Sequence, residues 1–115
     1  MGSEAFGNAF EHFIYQEIFA HSKYSNLGYS ICYWRTTSQM EVDFILGDHE
    51  VAIEVKGTNN VQTRDLKGLI NFSEEYTVKQ LIVVSNDPLE RLMGNVSVMP
   101  WKRFLAKLWA GEIIQ

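Results

Sequence analysis

Two acids and a lysine stand out near the middle of the chain: Asp43, Glu54 and Lys56. Each acid is embedded in an apolar run, Val42-Asp43-Phe44-Ile45 and Ala52-Ile53-Glu54-Val55. A carboxylate among such neighbours is costly to bury without a partner. Two of them side by side repel, and each raises the other's pKa unless a cation intervenes. Lys56 by itself neutralises only one. Hard cations such as Mg²⁺ (or Mn²⁺) take oxygen ligands and retain several waters. A lysine beside them can position or activate a water and offset charge on a phosphate. That combination is the equipment for hydrolysing a phosphodiester. The plainer reading of Glu54-Val55-Lys56 is the outer face of an amphipathic strand carrying an ordinary ion pair. The second embedded acid weighs against it.

The chemistry requires elements that bring these residues together. Val42, Phe44 and Leu46 alternate with Asp43 and Ile45, which predicts a strand over 41–46. Gly47-Asp48-His49-Glu50 is a turn of hairpin length. Val51, Ile53 and Val55 alternate with Ala52, Glu54 and Lys56 in a strand over 51–56, so Glu54 and Lys56 share a face. The short turn makes Asp43 their neighbour across the ladder. Upstream, Phe6, Phe10, Phe13, Ile14 and Ile18 recur at helical spacing over 4–22, with Ser3 as N-cap. Tyr29 to Arg35 reads as a strand from its aromatic and β-branched content. Downstream, the loop Gly57-Thr58-Asn59-Asn60 leads to a helix over about 62–76. The run Leu81-Ile82-Val83-Val84 suits a strand covered on both faces. A short helix is expected over 88–93 and a strand over 96–99. Pro100 opens a last helix striped by Trp101, Phe104, Leu105, Leu108 and Trp109, and Gly111 ends it. The order helix, three strands, helix, strand, strand, helix predicts an α/β sandwich, a central mixed sheet flanked by helices.

Glu41-Val42-Asp43-Phe44-Ile45, a turn, then Ile53-Glu54-Val55-Lys56 resembles the PD-(D/E)XK nuclease-like superfamily. More narrowly, the chain is similar to the C-terminal domain of unknown function that follows the ATPase core in many prokaryotic AAA+-type ATPases. Gly7-Asn8-Ala9-Phe10-Glu11, Tyr33-Trp34-Arg35, and Met99-Pro100-Trp101 with Phe104-Leu105 also carry this resemblance, in the family's order and over nearly the whole chain. It implies a restriction-endonuclease-like αβββαβ core. It further implies that Asp43 and Glu54 are metal ligands, that Lys56 is the catalytic lysine, and that Glu11 is the first-helix acid, catalytic and metal-bound. Gln62, Arg64 and Lys67 fall where superfamily members often place a polar or basic residue toward the site; a solvated helix face is the alternative. Arg35 suits either a scissile phosphate or a structural ion pair.

The remaining signals bound this reading. A chain of 115 residues fits a single domain over 1–115. No phosphate-loop motif occurs, so any ATPase portion lies outside it. The single cysteine, Cys32, excludes an internal disulfide and fits a cytoplasmic setting. No apolar run is long enough to cross a bilayer. Met1-Gly2-Ser3 has no signal-peptide character and reads as a leader added to an excised domain. His12, His21 and His49 lack zinc spacing. Tyr33, Trp34, Trp101 and Trp109 are expected in the core rather than stacked on bases. Lys102, Arg103 and Lys107 form a basic patch on the last helix. The net charge of −4 weighs against a general nucleic-acid coat. The expectation is a Mg²⁺-dependent nuclease domain acting on nucleic acid, most of all DNA. The alternatives are a non-catalytic module attached to an ATPase, and an assembly domain that forms a homodimer through exposed apolar surface.

Overall fold

The computed structural model describes residues 3–114, and the side chains of residues 7–114. Helix α1 (Ser3–Tyr24) is followed by strands β1 (Ile31–Arg35), β2 (Glu41–Leu46) and β3 (Val51–Lys56). A 3₁₀ turn (Thr63–Leu66) leads into α2 (Lys67–Glu75). Strands β4 (Gln80–Ser85), β5 (Arg91–Met93) and β6 (Val96–Pro100) and helix α3 (Trp101–Trp109) complete the order. The six strands form one mixed sheet in the order β1-β2-β3-β4-β6-β5. β1, β2 and β3 are successively antiparallel, β3, β4 and β6 are parallel, and β5 returns antiparallel to β6.

Both faces of the sheet are covered, which explains why β3 and β4 are buried almost end to end. On one face, Phe10, Ile14 and Ile18 of α1 and Phe104 and Leu108 of α3 pack against Phe44, Leu46, Ile53, Val55, Ile82 and Val84. On the other, Leu66, Leu69 and Phe72 pack against Val42, Ile45, Ala52, Leu81, Val83 and Val98. Fully burying a side chain of this class is worth about 1.5–3 kcal/mol, so these two layers set the positions of the strands.

Several local expectations are corrected. Residues 88–93 do not form a helix. Met93 pairs with Val96 across Gly94-Asn95, with Gly94 at φ 65°, so the segment is a hairpin strand. Glycine tolerates that conformation because it lacks a Cβ. The helix expected from Gln62 begins as a 3₁₀ turn and becomes α-helical at Lys67. β1 starts at Ile31 rather than Tyr29. Ser3 is already helical, so any N-cap lies outside the described residues, as does the leader Met1-Gly2 and the side chain of Phe6. Phe13 is partly exposed, and Tyr33 and Trp109 are exposed rather than core.

The most consequential departure is in β2. Cys32 pairs with Ile45 and Trp34 with Val42, so Tyr33 alone faces both Asp43 and Phe44. This is a β-bulge, and it breaks the period-two alternation. Val42 therefore joins Ile45 in the α2-side core, while Phe44 and Leu46 lie in the α1-side core. Strict alternation places Val42, Phe44 and Leu46 on one face, and the bulge separates Val42 from the other two.

Candidate carboxylate and lysine site

The antiparallel ladder between β2 and β3 runs through Leu46–Val51, Ile45–Ala52 and Phe44–Ile53. One step further, at Asp43 and Glu54, side chains take over from backbone carbonyls as acceptors. The Asp43 amide donates to Glu54 Oε1 at 3.2 Å, and the Val55 amide donates to Asp43 Oδ2 at 2.7 Å. Lys56 Nζ lies 3.2 Å from Glu54 Oε2. Glu54 is buried, Asp43 and Lys56 are half-buried, and the cluster sits at the carboxyl end of β3.

The electrostatics follow from this burial. Desolvation pushes Glu54 up to about 8, with the Asp43 charge adding to the rise and Lys56 opposing it. Desolvation likewise raises Asp43, to about 6; the Val55 amide bond opposes it, and the charges of Glu11 and Glu41 add to it. Glu11, reaching in from α1, is raised by burial and by Glu41, against the pull of Lys56. Burial works to lower the Lys56 pKa, but the Glu54 carboxylate, with Asp65 and Asp43 behind it, leaves it raised. Lys56 is thus the positive centre among four acids. A cavity of about 220 Å³ lined by Asn8, Glu11, His12, Tyr15 and Phe44 opens beside Glu11. A larger groove of about 740 Å³, lined by Glu74, Tyr76, Lys79 and Leu92 among others, includes none of the cluster.

The structure therefore brings Asp43, Glu54 and Lys56 together, with Glu11 within electrostatic reach. Arg35 is exposed at the end of β1, paired in register with Glu41. Gln62, Arg64 and Lys67 are exposed along the 3₁₀ turn and the start of α2. Among the described residues no three His, Cys, Asp or Glu side chains group closely enough to hold a metal ion by themselves. Asp43 and Glu54 nonetheless supply hard oxygen donors in the number that Mg²⁺, which keeps much of its water, takes from proteins. His12 is exposed, His21 bonds Tyr29, and His49 packs on Phe72 and Tyr76.

Two supports escaped the sequence reading. The first is a knot that fixes the loop after Lys56. Buried Asp87 accepts hydrogen bonds from the amides of Val61 and Leu89 and from Arg91 Nη1, while Arg91 Nη2 donates to the Val61 carbonyl. The turn sequence Asn86-Asp87-Pro88 was its available signal. The second is Gly68, where a Cβ would run into the Glu41 carbonyl, so α2 approaches the start of β2 closely. Asp65, whose Oδ2 accepts the Gln62 amide at 2.9 Å, is held in this same region.

Fold and site together define a mixed α/β domain whose six-stranded sheet carries a buried and a half-buried acid side by side, with a lysine on the buried one. Residues 6–104 match the family described as a domain of unknown function, DUF4143, and the chain belongs to that family. No curated protein and no solved structure matches the chain.

Proposed function

We propose that this domain is a metal-dependent nuclease of the PD-(D/E)XK type, cleaving phosphodiesters in nucleic acid and most of all in DNA. The observation that carries the reading is the placement of two embedded carboxylates side by side at a strand end, with a lysine on one of them. The element order from α1 to β4, αβββαβ, is the one expected of a restriction-endonuclease-like core. In this reading Asp43 and Glu54 hold Mg²⁺ or Mn²⁺, and Glu11 completes the site directly or through water. Such a cation, when bound, polarises a phosphoryl oxygen and supplies an activated water. Lys56 contributes no oxygen ligand; it orients the attacking water and offsets charge developing on the phosphate. Arg35, Gln62, Arg64 and Lys67 are the candidate nucleic-acid contacts.

A second reading is a nuclease fold retained as a non-catalytic module attached to an AAA+-type ATPase. The net charge of −4 and the lack of a ready-made three-carboxylate group among the described residues favour it.

Cleavage of single- and double-stranded DNA and RNA, followed over time with Mg²⁺ or Mn²⁺, separates the two. The nuclease reading expects Lys56→Ala to keep its fold and to lose about 10²–10³ in rate, the scale for removing a group that stabilises developing charge. Asp43→Ala should lose both metal binding and cleavage. Equal residual cleavage in wild type and both variants would come from a contaminant and would leave the module reading.

A further inference from the structure

We propose that Lys56 is a lock on the acid pair, so that a divalent cation and a nucleic-acid phosphate bind this site cooperatively. The inference rests on the nuclease reading and adds how that site is regulated.

The acid pair presents four carboxylate oxygens. Asp43 Oδ2 is taken by the Val55 amide and Glu54 Oε1 by the Asp43 amide. These bonds finish the β2–β3 seam, and releasing them would open it. Glu54 Oε2 is held by Lys56. Asp43 Oδ1 takes part in none of these bonds. An arriving cation therefore meets one carboxylate oxygen outside these bonds and an ammonium of its own sign on the neighbouring acid.

Of these contacts only the lysine's is readily exchangeable. Lys56 is the last residue of β3, its side chain is 36% exposed against 9% for Glu54, and its stem is a flexible four-carbon chain. A phosphate oxyanion offers the ammonium a new partner of the same kind. As Lys56 turns to it, Glu54 Oε2 is freed for the cation, and the phosphate charge screens the cation from the ammonium. Linkage makes the effect reciprocal: the phosphate raises cation affinity by the factor by which the cation raises phosphate affinity.

The test uses the full chain, with Mn²⁺ as the cation and a phosphorothioate oligodeoxynucleotide as a cleavage-resistant phosphate probe. Free Mn²⁺ is read by electron paramagnetic resonance and the oligonucleotide by fluorescence anisotropy. Wild type should bind Mn²⁺ about tenfold more tightly with the oligonucleotide present, within the usual range of site-to-site coupling, and the reverse titration should give the same factor. Lys56→Met should bind Mn²⁺ more tightly than wild type on its own and lose the coupling. Lys56→Arg, which keeps the charge, should retain coupling. Mn²⁺ affinity unmoved by the oligonucleotide in wild type, or not raised in folded Lys56→Met, would overturn the lock. Cleavage by wild type alongside uncoupled Mn²⁺ binding would sink the lock alone. Neither Mn²⁺ binding nor cleavage under any condition would sink the nuclease reading and the lock together.

Discussion

Asp43 and Glu54 hold each other's strands: the amide of Asp43 donates to the Glu54 carboxylate, and the amide following Glu54 donates to the Asp43 carboxylate. The last step of the β2–β3 ladder is therefore made by the two groups that burial most disfavours as anions. Structural and electrostatic demands meet in the same two side chains, and the consequences are measurable.

Stability without metal should fall as pH rises. Both carboxyls have native pKa values above their ordinary ones, mainly through desolvation. The native state then binds protons more tightly than the unfolded chain between the unfolded values and about 6 and about 8. Unfolding free energy decreases with pH wherever the native state holds more protons. The stability is fully present below about pH 4, the ordinary carboxyl range, and is lost toward pH 8. Melting in chelator from pH 5 to pH 9 should show the decline, and Glu54→Gln should flatten it. A change of about 1 kcal/mol corresponds to about 4 °C in a domain of this size. Parallel profiles for the two proteins would mean that Glu54 does not ionise against burial.

Gly68→Ala should destabilise the domain although it sits in a helix, where alanine is ordinarily preferred. The added Cβ collides with the Glu41 carbonyl, a backbone atom with little freedom to give way. Overpacking of this kind costs about 1–3 kcal/mol. Urea denaturation should show the loss, and amide exchange should rise at the start of β2. A variant as stable as wild type would show that α2 yields without cost.

Asp87→Asn should lower stability by about 3 kcal/mol, the low end for a broken buried ion pair because Arg91 keeps access to water. The amide cannot answer the Arg91 guanidinium and the amides of Val61 and Leu89 as the carboxylate does. Those bonds, led by the Leu89 amide, hold the Asp87 pKa below its ordinary value. Its contribution is therefore present above the unfolded pKa and lost as pH falls through the native one. Proteolysis of folded protein should cut first in the 57–62 loop. An unchanged cleavage pattern and denaturation midpoint would remove the knot from the account of the site.

The element order is legible in the chain everywhere but at β5, where a helix is expected and a hairpin strand forms, because the periodicities of 3.6 and 2 are written in consecutive residues. The stripe Phe10, Ile14 and Ile18 and the alternation over Val51–Lys56 both required a sheet covered by helices. The sequence also singled out Asp43 and Glu54, since an acid inside an apolar run is visible without coordinates. Glu11 was reached through resemblance alone, because nothing local distinguishes it from Glu4 or Glu17. The bulge at Asp43 and Phe44 leaves no trace in the alternation, because it depends on the register against Cys32 and Trp34 in another strand. The close approach at Gly68 and the knot of Asp87, Arg91 and Val61 likewise join segments distant in the chain. Their energies come from contacts between elements, so no periodicity records them. The ion pair of Lys56 with Glu54 lies between these cases: spacing puts the two residues on one face, and the folded geometry brings the ammonium to 3.2 Å from the carboxylate.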